Sequence, residues 1–162
     1  MEKLDELDVQ ILQKLGKNAR RSFLGVAREL KISGATVHER IEKLKKSGVL
    51  EGFCIRVNPK KTGRLVTAFV GLITSQNKGL RQLIEEVRRI KEIEEAYTVT
   101  GKYDFLLKLR AIDIDELQTL LTDRISCIPG VIRHETMIAM TTILDRAEPL
   151  LGPNVAGTKL RS

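Results

Sequence analysis

Polar and basic side chains recur at helical spacing between positions 33 and 46, where they could form hydrogen bonds and ion pairs with an extended anionic partner. At about 100° per residue, Val37, Ile41 and Leu44 share one stripe, which predicts a single buried helix face. The opposite face carries hydroxyl, carboxylate and ammonium groups, which suit contacts with phosphates and base edges. The candidate contact residues are Ser33, Ala35, Thr36, His38, Glu39, Arg40 and Lys43.

Two short amphipathic helices joined by a tight turn must position these groups, over residues 22–48. Ser22 and Ser33 each precede an apolar-periodic run, where a side-chain oxygen caps the free amides of a helix start. A further helix, capped by Asp5, comes before them. This order predicts a helix-turn-helix whose second helix enters the DNA major groove. Arg40 lies about 60° from the buried stripe, which favours a phosphate contact or a structural role over a base contact.

The distribution of charge supports DNA as the partner over an ordinary solvated helix face. Nine Lys/Arg and three Asp/Glu lie between Lys17 and Lys46, and residues 59–64 add three more positive charges. Residues 65–144 contain ten basic and eleven acidic side chains. The net charge of +7 is therefore concentrated in the first 64 residues, where it suits contacts with phosphates.

Several classes of protein are disfavoured by the composition. No apolar run approaches the roughly 18 residues that span a bilayer, and the N-terminus has no apolar signal-peptide core. Cys54 and Cys127 lie far apart without metal-ligand spacing, so we expect no metal, no disulfide framework and no cofactor. These features predict a cytoplasmic globular protein that makes no membrane contact.

The rest of the chain predicts an α+β fold. Phe53, Ile55 and Val57 alternate with polar or small residues, which predicts a strand over 49–58, either a wing or a linker strand. After a hinge at 59–64, hydrophobic periodicity predicts strand, helix, strand, strand, helix, strand. That order is typical of a ferredoxin-like βαββαβ domain. The predicted strands are 65–74, 95–100, 105–111 and a last one ending near 143, and the predicted helices run through 80–90 and 113–125.

We therefore expect a helix-turn-helix domain at 1–58, the hinge at 59–64, a ferredoxin-like domain at 65–144 and a tail at 145–162. The strand at 65–74 is apolar at nearly every position, so both of its faces should be buried. Packing of the open sheet face against a second copy would bury it and produce a symmetric dimer. The alternative is a monomer whose open face is covered by the tail.

These segments together resemble the Lrp/AsnC, or feast/famine, family of transcription regulators. The similarity covers nearly the whole chain and rests on the stretches LDELDVQIL, TVHERIEKL, TGKYDFLLKLR and IPGV. The resemblance implies a helix-turn-helix joined by a strand linker to a ferredoxin-like domain that dimerises, often assembles into octamers and binds small effectors, commonly amino acids. It also implies that Thr36, His38 and Arg40 occupy the DNA-reading helix.

For the effector, the resemblance implies a site at the turn before the third strand, with Thr136 contributed by a neighbouring subunit. Asp104 could accept hydrogen bonds from the ammonium of an amino acid, while backbone amides around Gly101 and a threonine hydroxyl could bind its carboxylate. The ammonium of Lys102 could also bind the carboxylate of the amino acid. Alternatively, Gly101 only permits the turn and Asp104 only caps it. The predicted effector residues are Thr100, Gly101, Lys102, Tyr103, Asp104 and Thr136.

Two other functions are compatible with parts of this sequence. An architectural DNA-compacting protein could use the same fold without any ligand. Siroheme decarboxylase subunits resemble this family in both domains, but their tetrapyrrole requires His and Arg in an aromatic-rich cavity. The chain has no Trp, two Tyr, four Phe and two His, and it lacks a nucleophile–base pair or a Gly-rich phosphate loop. The sequence therefore disfavours an enzyme and favours a regulator, with the architectural protein as the alternative.

Overall fold

The computed structural model describes residues 4–75 and 80–145. Each of its three N-terminal helices is capped at its start by a polar side chain. The helices are α1 (Glu6–Lys17), α2 (Phe23–Leu30) and α3 (Gly34–Lys46). Asp5, Ser22 and Ser33 accept hydrogen bonds from the backbone amides of Asp8, Gly25 and Thr36, respectively. These contacts confirm the predicted caps. The predicted tail lies outside the described residues from position 146 onward.

The three helices enclose one apolar core, to which α3 contributes the predicted stripe. Val37, Ile41 and Leu44 are all buried, and the first two pack with residues of α1 and α2. Lys31 ends α2 in the left-handed conformation, with φ of 56°, and so turns the chain sharply into α3. The outward face of α3 is thereby held in a fixed orientation by its own buried face.

The described residues divide into two compact units, of which the first comprises residues 4–56 with 144–145 and the second comprises Val57–Ile143. The second unit begins with a 3₁₀ turn at Pro59–Thr62, which Asn58 caps. Its strands and helices then follow in the order that the sequence predicted. They are β1 (Val66–Thr74), α4 (Leu80–Arg89), β2 (Ile93–Thr98), β3 (Phe105–Ala111), α5 (Ile114–Thr119) and β4 (Val131–Ile138).

The four strands form one antiparallel sheet in the order β2-β3-β1-β4, which confirms the ferredoxin-like topology. Alternate residues of β3 are buried, so the sheet has one core face and one open face. Helices α4 and α5 cover the core face through Leu83, Val87 and Leu117. The apolar core of this unit therefore lies on one side of the sheet.

The strand predicted at 49–58 is wrong within this chain, and with it the predicted wing. Residues 51–58 form neither helix nor strand, and the side chain of Ile55 is 83% exposed. A strand requires a hydrogen-bonded neighbour, and no ladder involving this segment exists among the described residues. Apolar alternation indicates which residues seek burial but cannot supply the partner strand.

Smaller corrections concern the ends of the C-terminal elements. β2 begins and ends two residues earlier than predicted, and β4 ends at Ile138 and not near Ile143. Pairing with β1 determines the end of β4, because the β1–β4 ladder ends at the Ala68–Ile138 pair. The second predicted helix also changes character: α5 continues as a π-helical turn at Leu120–Ile125.

Among the described residues, no helix has the length and apolar character required to cross a membrane.

Candidate nucleic-acid and effector sites

The outward face of α3 presents most of the predicted contact residues to solvent. Ala35, Glu39 and Lys43 are exposed, and Thr36 is half-buried. The hydroxyl of Thr36 lies 2.8 Å from that of Ser33, so these two residues form one capping group at the start of the helix. A shallow groove of about 760 Å³ runs along this face. It is lined by Asp5, Thr36, Glu39, Arg40, Glu42, Lys43, Lys46 and Ser47.

Histidine 38 lies at the edge of this face and packs against an aromatic side chain. Its ring contacts that of Phe23 edge-on, with 5.0 Å between the ring centroids. Phe23 in turn lies 6.4 Å from the ring of Phe53. Part of the surface of His38 is therefore used for packing within the domain, although the residue as a whole is exposed.

Arg40 binds two aspartates at the start of α1. Its Nη1 lies 2.9 Å from Oδ1 of Asp8 and also pairs with Asp5. Hydrogen bonds to Asp5 and then to Asp8 raise the pKa of the guanidinium, and the Arg40 hydrogen bond is the main cause that lowers the pKa of Asp5. Of the two roles predicted for Arg40, these contacts favour the structural one.

The turn between β2 and β3 contains five of the six predicted effector residues. Gly101 has φ of 116°, a conformation that glycine adopts most readily. Asp104 Oδ2 accepts hydrogen bonds from the backbone amide of Thr74 at 2.7 Å and from its hydroxyl at 2.9 Å. Its own amide donates to the carbonyl of Leu72. These bonds tie the turn to the end of β1, a contact that the prediction of a local cap did not anticipate.

Tyr103 extends from this turn across the open face of the sheet. Its ring covers Gly71 of β1, and its hydroxyl donates to Oε2 of Glu135 on β4 at 2.7 Å. Lys102 Nζ lies 2.5 Å from the same oxygen and 5.2 Å from the centre of the Tyr103 ring. Arg133 pairs with the other carboxylate oxygen at 2.7 Å.

Gly71 and Glu135 were both missed by sequence reasoning. Their places follow from the register, in which Gly71 and Glu135 are paired across β1 and β4. A glycine inside a predicted strand was the one signal in the sequence, because it marks a close approach of another group. Hydrogen bonds to Lys102 and then to Tyr103 lower the pKa of Glu135, so this group carries a stabilised negative charge.

Thr136 does not join this cluster within one chain. It is paired with Val70, whose side chain lies in the core, so Thr136 faces the helix side of the sheet while its neighbour Glu135 faces the open side. Its hydroxyl is buried and has no hydrogen-bond partner among the described residues. The predicted contribution of Thr136 from a neighbouring subunit stays a prediction.

A capped three-helix domain with a basic, outward-facing third helix, followed by a ferredoxin-like domain, defines a class of DNA-binding proteins with a separate C-terminal domain. Comparison with known proteins identifies the family. Residues 4–45 match the AsnC-type helix-turn-helix domain, and residues 67–149 match the Lrp/AsnC ligand binding domain. The chain belongs to the Lrp/AsnC family of DNA-binding transcription regulators, which have a ligand-binding domain.

Individual relatives agree with this assignment. The regulatory protein AsnC of Haemophilus influenzae is 34% identical over 140 residues, which cover 86% of this chain and 93% of the relative. An HTH-type transcriptional regulator of Pyrococcus horikoshii is 35% identical over 142 residues, with 86% and 95% coverage. The structure of E. coli AsnC superposes with a TM-score of 0.82 at 33% identity, covering 90% of this chain and 97% of that one.

A more distant structure shows the same fold. The transcriptional regulator NMB0573 of Neisseria meningitidis, solved as a complex with L-Met, gives a TM-score of 0.85 at 21% identity. The alignment covers 91% of this chain and 97% of that regulator. The fold is therefore shared along nearly the whole length of the chain.

Proposed function

We propose that this protein binds a two-fold symmetric DNA site as a dimer or a larger assembly, through the outward face of α3, and that an amino acid modulates the binding. The observation that carries the DNA part is the placement of Ala35, Thr36, Glu39 and Lys43 on the exposed side of a helix whose other side is buried. A helix of this kind fits the major groove, where its N-terminal residues reach base edges. We place this activity in the cytoplasm, with the DNA.

The DNA-binding role of α3 is tested by replacing Lys43 with alanine. The loss of one phosphate contact should weaken binding to all sequences to a similar extent and reduce the slope of log K against log salt by about 1. Lys45→Ala is the matched control, because Lys45 lies on another side of α3 and pairs with Glu42 at 2.9 Å. Fluorescence anisotropy over a salt series measures both. Equal effects of the two substitutions would contradict a specific role for this face.

Assembly into dimers is supported by apolar surface that one chain leaves exposed. Phe53, Ile55 and Val57 are exposed along the unpaired segment, and Met137 is exposed on the open face of the sheet. A second copy would supply both a strand partner and a cover for these groups. Sedimentation of the full chain is expected to give a dimer or a multiple of it, such as an octamer. A monomer at micromolar concentration would contradict this proposal.

The effector role is supported by the match to a ligand-binding domain and by the polar groups at the turn before β3. An amino acid there would find exposed backbone amides near Gly101, the ammonium of Lys102 and carboxylates of Glu135 and Asp104. The L-Met in the Neisseria complex is a ligand of this chemical type. Such a ligand regulates DNA binding only if it binds one assembly more tightly than another.

Two roles for Asp104 predict different results for Asp104→Asn. As the anchor of Thr74, Asp104 loses charge-assisted hydrogen bonds when it becomes Asn, which should cost about 1–3 kcal/mol of stability. If Asp104 also binds the ammonium of the ligand, Asp104→Asn should abolish the rise in melting temperature that an amino acid produces. Thr74→Val separates the two roles, because it removes a hydrogen bond to Asp104 but keeps the carboxylate.

Melting curves of the wild type and both variants, with each of the common amino acids at millimolar concentration, make this comparison. An effector role for Asp104 requires a ligand-induced shift in the wild type and in Thr74→Val, and none in Asp104→Asn. If no amino acid shifts the wild type, the effector proposal is wrong. A DNA-binding protein without a small ligand, of the architectural type, is then the remaining function.

A further inference from the structure

Glu39 occupies the centre of the exposed face of α3, the position from which a recognition helix reads base edges. At about 100° per residue, it lies roughly 170° around the helix from the middle of the buried stripe formed by Val37, Ile41 and Leu44. It is the sixth residue of α3, which begins at Gly34, and so belongs to the N-terminal half of the helix. That half enters the groove in helix-turn-helix proteins.

The Glu39 carboxylate makes no contact with the described residues of the domain that would fix it in place. In the described ranges, no hydrogen bond or ion pair to it exists, whereas Glu42 on the same helix pairs with Lys45 and Glu29 on α2 pairs with Lys14 and Arg21. Glu39 is also exposed. A carboxylate on a basic surface that approaches phosphates is repelled by them, so its central position requires a favourable contact to offset that repulsion.

The side chains around Glu39 indicate which base edge its carboxylate contacts. Arg40, the side chain best suited to guanine, is bound to Asp5 and Asp8. Ala35 and Thr36 precede Glu39 by one turn and present methyl groups, which contact the methyl of thymine. A carboxylate accepts hydrogen bonds but donates none, and the exocyclic amine of cytosine is the base-edge donor that it pairs with in the major groove.

The geometry points to Glu39 as a specificity-determining residue that accepts a hydrogen bond from a cytosine N4 in each half-site of the operator. Thymines next to that cytosine lie against Ala35 and Thr36. The basic groups one or two turns further along, Lys43 and Lys46, reach the phosphates. This inference rests on the proposed binding of DNA through α3 and adds to it the kind of base that the helix selects.

The test is selection of double-stranded DNA from a randomised library by the full-length wild type and by Glu39→Gln and Glu42→Gln. Glutamine prefers adenine, with which it forms two hydrogen bonds, so Glu39→Gln should change one cytosine per half-site to adenine. On defined sites, the preference at that position should shift by roughly 5- to 100-fold. Glu42→Gln removes the same charge one turn further along the same helix, where Glu42 pairs with Lys45, and should not change the cytosine at that position to adenine.

Other results would contradict either the role of Glu39 or the proposed binding of DNA. If Glu39→Gln strengthens binding to all sequences equally, the carboxylate only repels phosphates and the inference is wrong. The inference is equally wrong if the wild-type motif contains no cytosine that responds to Glu39→Gln. If the wild type selects no motif and shows no salt-dependent affinity for any DNA, the proposed function itself fails, and the reading of bases fails with it.

Discussion

Replacing Arg40 by methionine is expected to lower the free energy of unfolding of the helix-turn-helix domain by on the order of 1–3 kcal/mol. The physical reason is Asp8, which is only 2% exposed and would lose the cation that lies 2.9 Å from its carboxylate. A buried carboxylate left without its partner is costly. Because Arg40 is partly exposed, we expect less than the loss found for fully buried pairs. Thermal or urea unfolding measures the change.

Arg28 provides the matched control for this substitution. It is exposed on α2 and has no ion pair within the described residues, so Arg28→Met removes the same charge without stranding a carboxylate. We expect its effect to stay within about 0.5 kcal/mol. Asp8→Asn in the Arg40→Met background removes the stranded charge and should restore part of the stability. If the control costs as much as Arg40→Met, the ion pair is not the cause.

The same contact makes the domain sensitive to acid. The Arg40 hydrogen bond is the largest cause of the lowered pKa of Asp5 in the folded state, and the amide of Asp8 contributes next. A depressed folded pKa contributes stability above the unfolded value of 3.8, and this contribution is lost as the pH falls through the folded pKa. Between pH 2 and 6, the free energy of unfolding should therefore change less with pH in Arg40→Met than in the wild type.

The sequence predicted those features that depend on near neighbours. Ser22 and Ser33 were recognised as caps because the bond from a cap joins residues three apart. The buried stripe of α3 was recognised because one helix face repeats every three or four residues. The order of elements in residues 65–138 came from the same periodicities, and the family resemblance pointed to the same fold.

The sequence could not predict contacts between residues that are distant in the chain. Arg40 and Asp8 are separated by 32 positions, and nothing in the helical wheel of α3 indicates which carboxylates lie beside it. The strand predicted at 49–58 failed for a related reason, since alternation does not supply a ladder partner. At the effector turn, Glu135 was missed because only the β1–β4 register brings it to Tyr103.

Gly71 lies directly against the Tyr103 ring in the candidate effector cluster. Its replacement by alanine should produce the second large loss of stability. A Cβ at this position would lie 2.6 Å from Cγ and Cδ1 of Tyr103, well inside van der Waals contact. These atoms are the base of the ring, so the Tyr103 side chain or the strand backbone must shift, which disturbs the hydrogen bond from Tyr103 to Glu135. We expect Gly71→Ala to cost about 1–3 kcal/mol, measured by thermal unfolding.

Gly52 is the matched control, because a Cβ there would meet nothing within 4 Å and the backbone does not require glycine. Gly52→Ala should be neutral or stabilising by about 0.4–1 kcal/mol, through the smaller entropy of the unfolded chain. A cost at Gly52 similar to that at Gly71 would mean that loss of glycine itself, and not the ring, is responsible.

The decisive comparison is Gly71→Ala in a chain that already carries Tyr103→Ala. Without the ring there is no clash, and alanine is preferred to glycine inside a strand by roughly 0.5–1 kcal/mol. The same substitution should therefore change sign, from destabilising beside Tyr103 to stabilising beside alanine. Substitutions at distant, independent sites add in a double-mutant cycle, whereas residues in contact show a coupling of this kind. If the two effects simply add, Tyr103 does not lie on Gly71, and the link from the effector turn to β4 through Glu135 is lost with it.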